Sequence, residues 1–285
     1  MTKKSAKSKS PKKKPAAQAA PSGLLLMDAL IQAAHASGRV LNKYRIEADR
    51  HSLKISEKPD AGLVTNADLE SEAACVKILR KAQPGFGFLT EESPPQKSQN
   101  GGRWIIDPLD GTTNFVHGFP MYCVSLAAEW NGEVIAGVIY HPILKEMYSA
   151  IRGKGAYLNS KRIHVSKTAR LEDSLLTTGF TYLKQDHLNH EMHSFQEMSR
   201  VARAIRRPGS AALDLAYTAR GVFDGFWERS LSAWDVAAGA LLVQEAGGKV
   251  TDFEGKPFRV DGPSVVATNG KLHRPILRSI SSRAD

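Results

Sequence analysis

Trp104-Ile105-Ile106 is apolar at successive positions, as a strand buried on both faces requires, and it runs directly into Asp107-Pro108-Leu109-Asp110-Gly111-Thr112-Thr113-Asn114-Phe115. The strand delivers Asp107 to its end, Pro108 turns the chain and Asp110 follows, so two carboxylates and the Leu109 carbonyl can converge on one point. That is an oxygen-only donor set, suited to a hard cation such as Mg2+ and unsuited to zinc, which prefers nitrogen and sulfur. Gly111 and Thr112 then open a helix, whose N–H groups and positive dipole end suit a phosphate. Taken alone, the segment reads equally well as a turn with Asp110-Gly111 at its corner.

The surrounding pattern mixes helices and strands. Apolar residues recur at helical spacing from Leu24 to Tyr44, with Ser22 placed to cap, and a second helix is predicted from Asp68 to Ala82, stopped by Pro84 and Gly85. Strands are predicted at 86–89 and 103–107. Met121 to Trp130, the pair Asn131-Gly132 and Glu133 to Tyr140 form a strong hairpin signal, because Asn-Gly suits the type I′ turn. Strands at 146–151 and 156–158 continue the sheet. Helices follow at 187–202, 210–220 and 233–246, the last closed by Gly247-Gly248, with strands at 222–228, 249–253 and 265–268 and a final helix after Gly270. No repeat of fixed period appears, and the absence of a regular βαβ beat favours a layered α+β sandwich over a doubly wound sheet.

At 285 residues, the chain can bury a sizeable core without staples, and its two cysteines, Cys75 and Cys123, sit in apolar stretches. A disulfide framework is excluded, and a reducing cytoplasm is expected. The longest apolar run, Leu24 to Ile31, is interrupted by Asp28 and falls short of the roughly 18 residues that cross a bilayer, so no membrane partner is expected. Of the net charge of +10, residues 1–23 carry +7, from Lys3, Lys4, Lys7, Lys9, Lys12, Lys13 and Lys14, with no acid. This stretch is expected to be a disordered basic tail ahead of a single catalytic domain at 24–285. The tail is either a solvated appendage or a weak nucleic-acid contact.

Further acids lie at element junctions. Glu91 and Glu92 follow the 86–89 strand, and Asp235 opens a helix. Ser232-x-x-Asp235 and Thr65-x-x-Asp68 each fit a capping box, so each acid reads first as a cap.

Together, Leu63-Val64-Thr65-x-x-Asp68, Thr90-Glu91-Glu92-Ser93, the run Trp104 to Phe115, and Trp234-Asp235-Val236-Ala237-Ala238-Gly239 leading to Glu245-Ala246-Gly247-Gly248 resemble the inositol monophosphatase family over nearly all of residues 24–280. The resemblance implies a layered αβαβα sandwich of the inositol monophosphatase and fructose-1,6-bisphosphatase type, usually homodimeric. It also implies hydrolysis of phosphomonoesters with two or three Mg2+ ions and inhibition by lithium. Carried over by position, Glu91, Asp107 and the Leu109 carbonyl bind one magnesium. Asp107, Asp110 and Asp235 bind a second, and Glu91 reaches toward a weaker third. Asp68 and Thr112 match the pair that orients and deprotonates the attacking water.

The same resemblance places Gly111 and Thr112 on phosphate oxygens and counts Asp110, Gly209, Ser210, Ala211 and Glu228 among the substrate contacts, with Glu228 accepting ring hydroxyls. The expected substrate is inositol 1-phosphate. Histidinol phosphate, fructose 1,6-bisphosphate and 3′-phosphoadenosine 5′-phosphate are the alternatives, and an RNA- or transcription-complex-associated protein that uses the basic tail is the alternative of another class. Arg206 and Arg207 face either a dimer interface or an anionic substrate. Two positions depart from the family pattern: Gly62 stands where many relatives carry an acid, with Asp60 nearby, and Thr90 stands in place of Gly. The first bears on how the loop around Lys54 to Asp60 closes over a third metal.

Overall fold

Apolar periodicity over 24–44 becomes helix α1, Gly23–Glu47, and the Thr65 cap starts α2, Asn66–Ala82. Between them lies an antiparallel hairpin, β1 (Ile55–Lys58) and β2 (Gly62–Thr65). The structure is a computed structural model and describes residues 20–47, 53–58, 62–180 and 185–281. The basic stretch up to residue 19 and Asp60 lie outside the described residues.

The middle of the chain builds one sheet in sequential order: β3 (Gly87–Thr90), β4 (Gly102–Asp110), β5 (Cys123–Trp130), β6 (Glu133–His141), β7 (Glu146–Ile151), β8 (Gly155–Leu158) and β9 (Lys161–Ile163). Only the first pair is parallel. Asn131 and Gly132 join β5 to β6 with φ of 50° and 85°, both positive as the type I′ turn demands. Helix α3, Thr112–Val116, sits in the β4–β5 connection.

A second sheet, ordered β11-β10-β12-β14-β13, combines β10 (Leu175–Thr178), β11 (Ala204–Arg206), β12 (Gly225–Arg229), β13 (Lys249–Thr251) and β14 (Ser264–Thr268). Its helices are α4 (Gln185–Val201), α5 (Ala211–Ala219), α6 (Ala233–Glu245) and α7 (His273–Ser281).

Side-chain alternation along the large sheet assigns the layers. Trp104, Ile106, Val124, Leu126 and Val138 pack against Leu26, Leu30, Ala33 and Leu79 of α1 and α2. Ile105, Cys123, Ala127 and Ile139 point the other way, onto α5 and α6, which also touch Phe226, Val265 and Ala267 of the small sheet. The far face of that sheet, through Leu176, Trp227 and Val266, packs on Met198 of α4 and on Ile276 and Ile280 of α7. The result is the five-layer αβαβα sandwich expected. No helix among the described residues is long and apolar enough to cross a membrane.

Two differences from the sequence reading have local causes. The strand expected from Val222 starts only at Gly225, because Val222 and Phe223 donate their N–H groups to Tyr217 O and prolong the end of α5. Strands β10 and β11 had no periodic signal, since three or four residues in parallel pairing show no alternation to read.

Candidate active site

The site forms where β4 leaves the sheet. Pairing with β5 is regular to Asp107 and resumes at Asp110, so Pro108 and Leu109 form a bulge. The Pro108 carbonyl, freed from the ladder, accepts Ser71 Oγ at 2.9 Å, and Ser71 in turn meets Ser37 Oγ at 2.5 Å. Helices α1 and α2 thus pin the bulge from behind. Gly111 follows with φ of +93°, where a Cβ would crowd the Met121 and Gly209 carbonyls, so only glycine turns the chain into α3 here.

Three acids share one device. Asp68 Oδ2 accepts the Thr65 N–H at 2.8 Å and Thr65 Oγ1 at 2.6 Å at the start of α2. Asp235 Oδ2 accepts the Ser232 N–H at 2.7 Å at the start of α6. Asp110 Oδ2 accepts Ser210 Oγ at 2.6 Å and the Ala212 N–H at 2.8 Å at the start of α5. Each carboxylate spends one oxygen on a helix N-terminus and keeps the other, Oδ1, for another partner. The capping and chemical readings of Asp68 and Asp235 are therefore compatible. At Asp68, Oδ1 faces Thr112 Oγ1 at 3.1 Å, and that hydroxyl lies 3.1 Å from the Leu109 carbonyl as well.

Asp107, Asp110 and Asp235 converge so that one oxygen from each lies within 4.8 Å of the others. Asp107 is only 1% exposed, and its Oδ1 accepts the Leu109 N–H at 2.9 Å. Burial, then Glu91, Asp110 and Asp235, push its carboxyl well above the usual carboxylate range. Burial likewise lifts Asp110 to about 6 despite the Ser210 and Ala212 bonds, and burial with Asp110 as neighbour lifts Asp235. Burial raises Asp68 too, against the Thr65 bonds. Converging carboxylates that resist ionisation lack a countercharge, and an oxygen-only set of this kind fits a hard divalent cation.

Asp107, Asp110 and Asp235 open into a cavity of about 460 Å³ that also holds Glu91, Leu109, Gly111, Thr112, Gly209, Ser210, Ala211 and Glu228, while the buried Asp68 does not line it and meets Thr112 from behind. All the substrate positions expected from the sequence line it. Asn114 Nδ2 ties its two sides together, donating to Met121 O at 2.6 Å and Pro208 O at 2.9 Å. Glu91 is not one of the three acids that converge, although its charge acts on Asp107, and its carboxylate meets Lys58 Nζ at 2.9 Å. The Thr90 hydroxyl closes the turn that presents Glu91, lying 3.3 Å from both the N–H and the carbonyl of Ser93, which accounts for the departure from glycine there.

Sequence reasoning did not find Gly179 and Asp214, which also line the cavity. Asp214 lies one turn into α5 from Ser210, a spacing that would have revealed it. For Gly179 no local signal exists. Arg206 and Arg207 are both exposed, and of the two only Arg207 lines the cavity. A second cavity of about 480 Å³ beside α6 holds Arg103, Arg152 and Arg259, each paired with an acid (Glu129, Glu133 and Asp261).

An oxygen-only acidic cluster at the open end of a five-layer sandwich marks the metal-dependent phosphatases. Residues 25–284 match the model of the inositol monophosphatase family. The chain is 42% identical over 256 residues to an inositol-1-monophosphatase of Mesorhizobium japonicum, covering 90% of this chain and 96% of that protein. It is 39% identical over 260 residues to a Pseudomonas aeruginosa protein named Nus factor SuhB, covering 90% and 95% respectively. The crystal structure of the extragenic suppressor protein SuhB from Bartonella henselae matches with a TM-score of 0.86 at 41% identity, over 90% of this chain and 98% of that one. The chain belongs to the inositol monophosphatase family, and with it to the phosphatases.

Proposed function

We propose that the protein hydrolyses inositol 1-phosphate to inositol and phosphate with Mg2+. The observation that carries this reading is the shared device of Asp68, Asp110 and Asp235, whose Oδ2 atoms are tied to three helix starts. It fixes each remaining oxygen without flexible side-chain search. Asp107, Asp110 and Asp235 would hold one Mg2+. Glu91, Asp107 and the Leu109 carbonyl would hold another, and Glu91 would reach toward a third. Bound there, the ions supply an activated water and neutralise charge on the leaving alkoxide. Thr112 Oγ1 orients the attacking water and passes its proton to Asp68 Oδ1, a carboxylate whose burial favours accepting it.

The Gly111 and Thr112 N–H groups face phosphate oxygens. Glu228, with Gly209, Ser210 and Ala211 beside it, takes the ring hydroxyls. Comparing kcat/KM on inositol 1-phosphate, histidinol phosphate, fructose 1,6-bisphosphate and 3′-phosphoadenosine 5′-phosphate tests the substrate. Preference for any of the last three overturns it. We further propose a homodimer in the cytoplasm, a compartment that suits the free, buried Cys75 and Cys123. A second reading is a role in a transcription complex through the basic tail, supported by relatives named as Nus factors.

A further inference from the structure

The Glu228 carboxylate lies directly on Gly179. Thr178 and Trp227 form the last rung between β10 and β12, and Thr178 Oγ1 donates to Trp227 O at 2.7 Å. Beyond that rung β10 ends and Gly179 follows it, while Glu228 stays in β12 paired with Val265 of β14, so the two residues lie side by side where β10 stops. A Cβ on Gly179 would stand closer than 3.0 Å to Oε1, Oε2 and Cδ of Glu228, a separation real Cβ atoms essentially never show. Gly179 does not adopt a positive φ, so the backbone itself would accept any residue. What a side chain there would displace is the neighbouring carboxylate, the far end of a flexible side chain.

That carboxylate is also held differently from the other acids of the cavity. Asp110 and Asp235 are fixed by N–H donors, whereas among the described residues nothing donates a hydrogen bond to Glu228. It is seated by shape, and both its oxygens stay available to a ligand. The cavity beside it is lined by Asp110, Asp214 and Asp235, of which Asp235 and Asp110 oppose its charge, and by Arg207, which favours it.

We infer that Gly179 is a specificity-determining positioning residue, whose missing side chain seats the Glu228 carboxylate where it accepts the hydroxyls of a polyol phosphate. The inference rests on the reading of Glu228 given under the proposed function. Gly179 has no side chain to offer the substrate and acts through Glu228.

The test uses the full-length protein with saturating Mg2+, comparing wild type, Gly179→Ala, Glu228→Asp and the double variant. The substrates are inositol 1-phosphate and p-nitrophenyl phosphate, which has no ring hydroxyl. Gly179→Ala is expected to raise KM for inositol 1-phosphate about tenfold, the scale of losing hydrogen bonds to a charged group, while kcat and p-nitrophenyl phosphate turnover stay within about twofold. Adding Glu228→Asp shortens the acid by one methylene, relieves the clash and recovers much of that KM. Equal losses on both substrates, or losses that simply add in the double variant, overturn the inference. A crystal structure of Gly179→Ala reads the seat directly: a displaced Glu228 supports it and an unmoved Glu228 overturns it. That reading holds even if the wild type proves inactive on inositol 1-phosphate, a result that removes only the substrate assignment.

Discussion

Lys58 Nζ lies 2.9 Å from Glu91 Oε1 and 2.7 Å from Glu92 Oε1, so the β1–β2 hairpin brings an ammonium onto the carboxylate proposed to bind metal. Burial works against the Lys58 charge, yet the two glutamates outweigh it and raise its pKa. Burial also pushes Glu92 up to about 7, in spite of Lys58. An ammonium and a divalent ion on one carboxylate compete.

Lys58→Gln should therefore tighten Mg2+ binding. Losing a partly buried ion pair of about 1 kcal/mol corresponds to roughly a fivefold lower half-saturating Mg2+ concentration. A titration of activity against Mg2+ checks this, and a higher half-saturation in the variant would show that the ammonium organises the site instead of competing for it.

Asp235→Asn separates the two duties of one side chain. An amide oxygen still accepts the Ser232 N–H, so α6 keeps its cap and the melting temperature should hold within a few degrees, roughly the effect of less than 1 kcal/mol. Turnover should fall by about three orders of magnitude, because the cluster loses one of its three charges. Near-normal turnover at saturating Mg2+ would remove Asp235 from the metal site.

Lithium probes the same cluster. A monovalent ion among Asp107, Asp110 and Asp235 lacks the charge to complete the site, so it should trap product rather than block substrate. Inhibition is expected at roughly tens of millimolar and to deepen with substrate concentration. Insensitivity over that range would mark a second metal site that differs from the family's.

How much of this was visible in the sequence depends on the kind of signal. The positions of Asp107, Asp110 and Asp235 at element ends were legible from the period of the flanking strand and helix, but alone they read as a turn and a cap, and only the resemblance of the joint motifs to the family made them candidate metal ligands. The strands around Asn131-Gly132 were legible because a two-residue turn fixes its own register. Lys58 and Gly179 were not. Lys58 acts through a hairpin of four-residue strands, and Gly179 matters only through Glu228, almost fifty residues later. Neither relation leaves a spacing in the chain; both are made by tertiary packing.

His273 offers a pH test of stability away from the active site. Its ring is 1% exposed, with Nε2 2.9 Å from Thr251 Oγ1 and Nδ1 3.0 Å from Thr268 Oγ1. Burial, with Lys249 adding to it, lowers its pKa to about 4. The unfolded chain takes up this proton near pH 6.5 and the folded chain only near 4, so stability is full above that range and is lost as pH falls through it. Between pH 7.5 and 5 the loss should be about 2 kcal/mol. Urea unfolding of wild type and His273→Gln at both pH values checks this. The variant should be less stable at pH 7.5 but should lose about 2 kcal/mol less on acidification, and an equal loss in both proteins would show that His273 is not the group responsible.

The basic stretch sets the last prediction. Leu26 donates its N–H to Ser22 O at 3.2 Å, so α1 needs Ser22, and a truncation that respects the helix removes only residues 1–19. All seven lysines of the N-terminal stretch lie at or before Lys14, so this deletion takes the net charge from +10 to 10 − 7 = +3. Every residue assigned to the cavity lies beyond residue 61, and α1 keeps its apolar face on the large sheet. Turnover of a small phosphomonoester should therefore be unchanged within about twofold. Affinity for RNA should fall, and its logarithmic salt slope should shrink by up to about 6, because seven fewer cations release fewer counterions. If the truncated protein stayed folded but lost turnover, the N-terminal stretch would have to reach the active site. If RNA binding kept its salt slope, the contact would lie on the folded body instead.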